Sequence, residues 1–383
     1  MPDTTNDGFL SGQGIAVDPR EIETELTRLW GPAAERVGGP ELENPHVTRI
    51  VLANVVVLSR KADGERLQQV LDTVTERYPC RTIVLCRTDD PARKIAAEVS
   101  ALCHLPAPGL PQVCSERIIL RAGPNAVDLL PGAVRPLLEA DLPFVLWWTD
   151  EPRDDEALFR DLAGECSRLI LDLPDPGADP EAVRFGLDLM ISRYSRDTAW
   201  FGLLPWRELV AQLFDPPGND EALARIDSVR IEAVSRTDKS PPRIALWLVA
   251  WLAGQLGWTP RGYPGRSAGR FKAIFKGSRG LVAVEIETEA VPTLDVAQVA
   301  VITLTARGDE GVDTFRLSRP APQSNEVRVE VDCVAYCSLP RVVEARDFDP
   351  ALRVAAALER SRNDLSYQQA LPHALWLLDS LKD

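Results

Sequence analysis

Histidine is scarce in this chain: only His46, His104 and His373 occur among 383 residues. A catalytic site built on imidazole therefore has few candidates to draw on. Basic residues are outnumbered as well, with 43 Lys and Arg against 57 Asp and Glu and a formal charge of -14. That balance repels phosphate backbones and anionic membrane surfaces, so it speaks against nucleic-acid and membrane binding and favours a basic or neutral partner. Long apolar stretches are missing too. The longest charge-free apolar run, Ile244 to Trp258, is shorter than the roughly 20 residues needed to cross a bilayer. The N-terminus has no basic segment followed by an apolar one, the pattern of a secretion signal, and the expectation is a cytoplasmic protein. Neither a P-loop nor a Gly-x-Gly-x-x-Gly turn follows any expected strand, which removes the usual phosphate-cradling and dinucleotide-binding signatures. No cofactor is expected.

Seven cysteines (Cys80, Cys86, Cys103, Cys114, Cys166, Cys333 and Cys337) are odd in number and scattered, unlike the dense framework of a small secreted domain. Most are expected to be reduced thiols. Cys333 and Cys337 have a spacing seen at some metal sites, but no second close pair or His cluster completes four ligands, so no metal is expected. Cys103 and Cys114 could neighbour each other across a tight connection from Leu105 to Val113, which would permit a regulatory disulfide. Ordinary buried thiols are the plainer reading.

What is present is ordinary composition for a soluble protein, 45% hydrophobic and 26% charged, in a length that suits two or three domains. The chain is organised around Asp141 to Pro152, which reads Asp-Leu-Pro-Phe-Val-Leu-Trp-Trp-Thr-Asp-Glu-Pro. Phe144 to Trp148 is apolar without alternation, the pattern of a strand buried on both faces of a parallel sheet. Trp147 and Trp148 then point to opposite faces. Thr149, Asp150 and Glu151 sit where the strand emerges, the edge at which open α/β sheets usually meet ligands or partners.

In chain order, a loose tail covers residues 1–17, and a helix starts at Asp18 with Pro19 in its first position and stops at Gly31-Pro32. A strand or strand pair spans Val47 to Ser59, a helix Asp63 to Arg77 and a strand Arg81 to Cys86. Asp89 to Leu102 stays ambiguous between helix and strand. A strand from Cys114 to Arg121, a helical run from Ala126 to Ala140 broken near Pro131-Gly132, the Phe144 strand, a helix from Asp154 to Cys166, a strand from Leu169 to Leu173 and a helix from Asp179 to Tyr194 follow. Such alternation implies parallel strands joined by right-handed crossovers. Trp206, Leu209, Val210, Leu213 and Phe214 fall at helical spacing. Pro216-Pro217 ends that helix, and Gly218-Asn219-Asp220 reads as a domain boundary.

Beyond it, a strand from Val229 to Val234 and a helix buried on every side, Ile244 to Gly257, precede a change to period two. Phe271, Ala273 and Phe275 alternate with lysines, Val282, Val284 and Ile286 with glutamates, and Val327, Val329 and Val331 with charged residues. These read as an antiparallel sheet with one charged face, and helices Pro350 to Arg360 and Tyr367 to Leu381 close the chain. The expected fold class is α/β: a Rossmann-like, doubly wound and mainly parallel sheet domain over 18–217, then an α+β domain with an antiparallel sheet over 218–383.

Candidate chemistry is thin. Arg261, Arg266 and Arg270 lie in or beside the glycine-rich stretch Gly262 to Gly269 and could contact a phosphate, although a solvated hairpin approach is the plainer reading. Asp150 and Glu151 adjoin, as do Asp154, Asp155 and Glu156, but carboxylates at a helix start normally serve its dipole. No nucleophile with a positioned base is apparent.

Several stretches carry a resemblance. Asp141 to Trp148, Pro-Trp-Arg-Glu-Leu at Pro205 to Leu209, Gln-Leu-Phe-Asp-Pro-Pro at Gln212 to Pro217 and Trp-Leu-Ala-Gly-Gln-Leu-Gly-Trp at Trp251 to Trp258 are similar to the glucose-6-phosphate dehydrogenase assembly protein OpcA family. Tyr78 to Leu85 and Cys114 to Ile118 resemble it too, in the same order from about Val47 to Val331. The resemblance implies a non-catalytic assembly factor or allosteric activator that binds glucose-6-phosphate dehydrogenase, with substrate and NADP held by the enzyme. In some relatives the system is linked to thiol redox state. Under that reading the partner-binding candidates are Trp148, Asp150, Glu151, Trp206 and Arg207, since tryptophan and arginine are typical interface anchors. Taken singly, Trp147, Trp206 and Trp251 each read more readily as core. The alternative function is a sugar-phosphate- or nucleotide-binding enzyme or sensor with a pocket that no motif marks.

Overall fold

In the computed structural model of the chain, the described residues are 14–36, 47–59, 65–90, 94–104, 112–149, 157–177, 179–192, 195–217, 219–267, 269–294, 296–334, 338–345, 349–360 and 364–381. They fall into two compact units, Met1–Asp172 with Leu189–Arg196 and Ala357–Glu359, and Leu173–Asp188 with Asp197–Ala356 and Arg360–Asp383. Residues 197–217 thus group with the second unit, whereas the sequence reading ran the first domain to 217.

The first unit holds strands β1 (Ile15–Val17), β2 (Val47–Arg49), β3 (Asn54–Ser59), β4 (Arg81–Arg87), β5 (Ile95–His104), β6 (Gln112–Ala122), β7 (Phe144–Trp148) and β8 (Arg168–Leu171). Their order is β1-β5-β6-β4-β3-β7-β8, continued by Ser195–Asp197, with β2 beside β6. The β3–β4, β3–β7, β4–β6 and β7–β8 pairs are parallel. β5–β6 and β1–β5 are antiparallel. Every residue of β3 and β7 is buried, as an unalternating apolar strand requires. The crossover helices are α1 (Ile22–Arg36), α2 (Glu65–Arg77), the short α3 (Leu130–Val134) and α4 (Ala157–Glu165).

Three local expectations change. Ile15–Val17 is not loose tail: it adds an antiparallel edge strand opposite Ala97–Val99, and residues 1–13 lie outside the described residues. The first helix does not stop at Gly31-Pro32 but runs to Arg36. The ambiguous segment after Asp89 is the strand β5, whose Val99 and Ala101 are buried against its neighbours. Tertiary pairing decides where local propensity does not.

The second unit is built on α5 (Pro180–Ser192, up to Asp188), α6 (Thr198–Gly202), α7 (Leu204–Gln212), α8 (Asn219–Arg225), β10 (Ile226–Ser235) and α9 (Arg243–Gln255), with β9 denoting Ser195–Asp197. β11 (Thr259–Ser267), β12 (Arg270–Lys276), β13 (Leu281–Ala290), β14 (Gln298–Arg307), β15 (Val312–Ser318), β16 (Glu326–Asp332) and β17 (Arg341–Glu344) follow, then α10 (Pro350–Glu359, up to Ala356) and α11 (Leu365–Asp379). The sheet order is β11-β12-β13-β10-β14-β15-β16-β17, antiparallel throughout except for β10–β13. Phe271, Phe275, Ile286 and Phe315 are buried on one face. Lys272–Glu285 and Arg270–Glu287–Arg230 pair across strands on the other.

The stretch Gly262 to Gly269, expected as a loop, is mostly the edge strand β11. Pro260 and Pro264 fit there because an edge strand has one row of backbone groups without ladder partners. Gly269, with φ +67°, makes the turn into β12. Helix α9 is buried along its length and packs on α11. Gly254 permits the close approach: a Cβ there would lie 2.7 Å from the Gln369 carbonyl oxygen.

Candidate functional site

At the exit of β7, Trp148 is only 2% exposed and stands edge-on to Phe159, ring centroids 4.3 Å apart. The Thr149 hydroxyl donates to the Leu58 carbonyl at 3.0 Å, tying the strand end to β3. Trp148 as a partner anchor is therefore corrected: a central strand covered on both faces buries its side chains whatever their chemistry. Asp150 and Glu151 lie outside the described residues.

Trp206 is also buried, because its i, i+3, i+4 stripe on α7 faces inward. Arg207, beside it, is 7% exposed and lies over the Trp200 ring, 3.8 Å from guanidinium carbon to centroid. Burial pushes its pKa down to about 10. Both residues belong to the interior of the second unit. Arg207 adjoins an aromatic cluster in which Trp200, Trp247 and Tyr367 meet with centroids 5.2 to 5.5 Å apart.

The centre of that cluster is a residue sequence reasoning missed. Asp197, fully buried, accepts from the Ala199 backbone N–H at 2.9 Å, from the Trp247 indole at 2.8 Å and from the Arg243 guanidinium. Arg243 also donates to the Leu173 carbonyl and, at 2.8 Å, to the Pro174 carbonyl. The available signal was local: an aspartate directly before Thr198-Ala-Trp is a helix N-cap pattern.

The basic stretch divides. Arg270 pairs with Glu287 at 3.1 Å on the charged face of the sheet, and Arg261 lies on β11 opposite Ile274. Arg266 instead borders an open pocket of about 370 Å³, together with Gly177, Lys239, Ser240, Ser267 and Leu381. All of these belong to the second unit. Arg266 donates to the Leu381 carbonyl at 3.3 Å. The Ser240 hydroxyl is buried and has no hydrogen-bond partner among the described residues. Lys239 and Ser240 were invisible as site residues because they join Arg266 only through the fold.

Cys103 and Cys114 stand directly opposite each other across the antiparallel β5–β6 pair and are joined in a disulfide, with Cα atoms 4.1 Å apart. That pairing, rather than two separate buried thiols, follows from the register. Opening a crosslink between cysteines eleven residues apart is expected to cost about 2–3 kcal/mol by relaxing the unfolded chain. Thermal melts of the oxidised chain against Cys103→Ser/Cys114→Ser should differ by several degrees, and coincident melts would contradict this. Cys80 is fully buried, and burial pushes its thiol up to about 11. Cys337 lies outside the described residues, and among the described residues no group of three His, Cys, Asp or Glu side chains is placed to hold a metal ion.

The fold defines a two-unit α/β protein, mainly parallel in one unit and mainly antiparallel in the other. Residues 71–184 match the family model described as the glucose-6-phosphate dehydrogenase subunit N-terminal domain, and residues 193–371 match the corresponding C-terminal domain. The chain belongs to the OpcA family. It is 32% identical over 227 residues to a protein of Synechococcus elongatus named OpcA and assigned by that name to the OxPP cycle, covering 58% of this chain and 46% of that protein. To the similarly named protein of Nostoc punctiforme it is 31% identical over 269 residues, 67% and 53% of the two chains. The chain thus spans about half the length of the curated relatives it matches. A solved structure of KijD10, a 3-ketoreductase from Actinomadura kijaniata in complex with TDP-benzene and NADP, aligns over 88% of this chain and 96% of its own at 13% identity and a TM-score of 0.46. A likeness of that size carries no argument about activity or cofactor. No helix among the described residues is long and apolar enough to cross a membrane.

Proposed function

We propose that the chain is a non-catalytic partner of glucose-6-phosphate dehydrogenase, binding the enzyme and favouring its assembly or active state at the start of the oxidative pentose phosphate pathway. The observation that carries this reading is the ordered match of two domain models, both named for a subunit of that dehydrogenase, over 71–184 and 193–371. The OxPP-cycle names of the curated relatives support the same pathway.

Such a protein acts by binding the competent conformation or oligomer of the enzyme better than its alternatives. A tenfold preference needs only about 1.4 kcal/mol, within reach of a few interface residues. With Trp148 and Trp206 buried, Asp150 and Glu151 are the candidates that remain for contact with the enzyme. The Cys103–Cys114 bond is a candidate point of redox control, and the Arg266 pocket serves the alternative reading of a ligand-responsive protein. The test is co-elution on a sizing column of this chain with the purified dehydrogenase of the same organism. A complex resolved from both components supports the proposal. Separate elution at micromolar concentrations, with the disulfide intact and with it reduced, would overturn it.

A further inference from the structure

We propose that the pocket bordered by Arg266 and Lys239 is a binding site for a small phosphate monoester, a function beyond the partner reading and independent of it. Among the described residues, neither cation has a carboxylate within ion-pair distance. Most arginines of the charged sheet face, by contrast, are paired. The chain as a whole is strongly acidic, so two unneutralised cations facing one pocket are a local exception with a field that favours an anion.

The second observation is Ser240. The residue is 7% exposed, lines the pocket and, among the described residues, has no hydrogen-bond partner for its hydroxyl. A buried polar group left unsatisfied is costly, and a ligand oxygen in the pocket would meet it. Gly177 keeps that hydroxyl open: a Cβ at this position would lie 2.9 Å from Ser240 Oγ, 3.2 Å from Thr237 Cγ2 and 3.3 Å from Lys239 Cβ. Ser267, at the end of β11, adds another hydroxyl to the same lining.

Together the lining offers an ammonium, a guanidinium and two hydroxyls. That donor set suits the three terminal oxygens and near-double charge of a phosphate ester better than the two oxygens of a carboxylate. The volume of about 370 Å³ admits a phosphate with a short carbon skeleton, and among the described residues of the lining no aromatic side chain offers a nucleobase a stacking face. The net charge of -14 disfavours a polyanion. The ligand class is thus a small phosphorylated metabolite.

The test uses the full chain at fixed ionic strength, titrated calorimetrically with inorganic phosphate, glycerol 3-phosphate and glycerol. Saturable binding is expected for the first two and none for glycerol. Lys239→Ala and Arg266→Gln should each weaken binding at least tenfold, Ser240→Ala should weaken it, and Gly177→Ala should do so by crowding the hydroxyl. Lys272→Gln, on the charged sheet face and paired with Glu285, should leave it unchanged. Melting temperatures check that each variant folds. No saturable binding above a chloride control would overturn the proposal, and so would equal losses in Lys272→Gln and Lys239→Ala, which would mark diffuse charge attraction. Because no dehydrogenase is present, failure here leaves the partner reading standing, and a failed co-elution leaves this site standing.

Discussion

Replacing Asp197 by alanine is expected to lower the stability of the second unit by about 3–5 kcal/mol, the range for breaking a buried ion pair by removing one partner. The carboxylate is fully buried and receives the Arg243 guanidinium, the Trp247 indole and the Ala199 amide. Without it Arg243, 6% exposed, keeps the carbonyls of Leu173 and Pro174 but loses its buried carboxylate partner. The helix α6 also loses its cap, worth about 1 kcal/mol on its own and not additive with the pair. The melting temperature should fall by about 10 °C or more if unfolding resembles that of other domains of this size. Asp197→Asn keeps a capping oxygen and should fall between the two. A double variant with Arg243→Met should recover part of the loss, since an apolar replacement of both partners leaves no buried charge. A drop below about 1 kcal/mol for Asp197→Ala would show that the network contributes little.

The counterpart in the first unit is Glu116. Its carboxylate, 1% exposed, accepts from Arg81 at 2.7 Å, from Arg49 at 2.6 and 3.0 Å and from the Trp30 indole. These bonds join α1, β2, β4 and β6 and hold the Arg49 pKa above its ordinary value. Glu116→Ala should cost about 3 kcal/mol, at the low end of the buried-pair range. Arg81 retains Glu23, Glu139 and the Leu137 carbonyl, and Arg49, 38% exposed, regains water. Urea denaturation followed by tryptophan fluorescence gives the difference directly. A cost exceeding that of Asp197→Ala would mean that Arg81 is not rescued by its remaining partners.

Where a strand is buried on both faces, as from Phe144 to Trp148, its unbroken apolar run makes it legible in the sequence. The period-two strands of the second sheet were equally plain. Long-range pairing was not, since nothing in Ile15–Val17 or Ile95–His104 states which neighbour they will meet. The same physics misled the site assignment. Tryptophan and arginine are interface anchors when exposed and core elements when buried, and Trp148, Trp206 and Arg207 are buried. The Arg266 pocket was half legible: the arginine stood out in a glycine-rich stretch, but Gly177, Lys239 and Ser240 reach it from distant parts of the chain. The Cys103–Cys114 pair was legible as neighbours, and only the strand register fixed it as a bond.

The most direct measurement is the activity of purified glucose-6-phosphate dehydrogenase of the same organism, titrated with this chain and followed by NADPH formation at subsaturating substrate. A saturable rise in rate that levels off at a fixed ratio of the two proteins is expected, with no NADPH formed by this chain alone. An unchanged rate across the titration, with the disulfide intact and with it reduced, would contradict the proposal that the chain is the enzyme's activating partner.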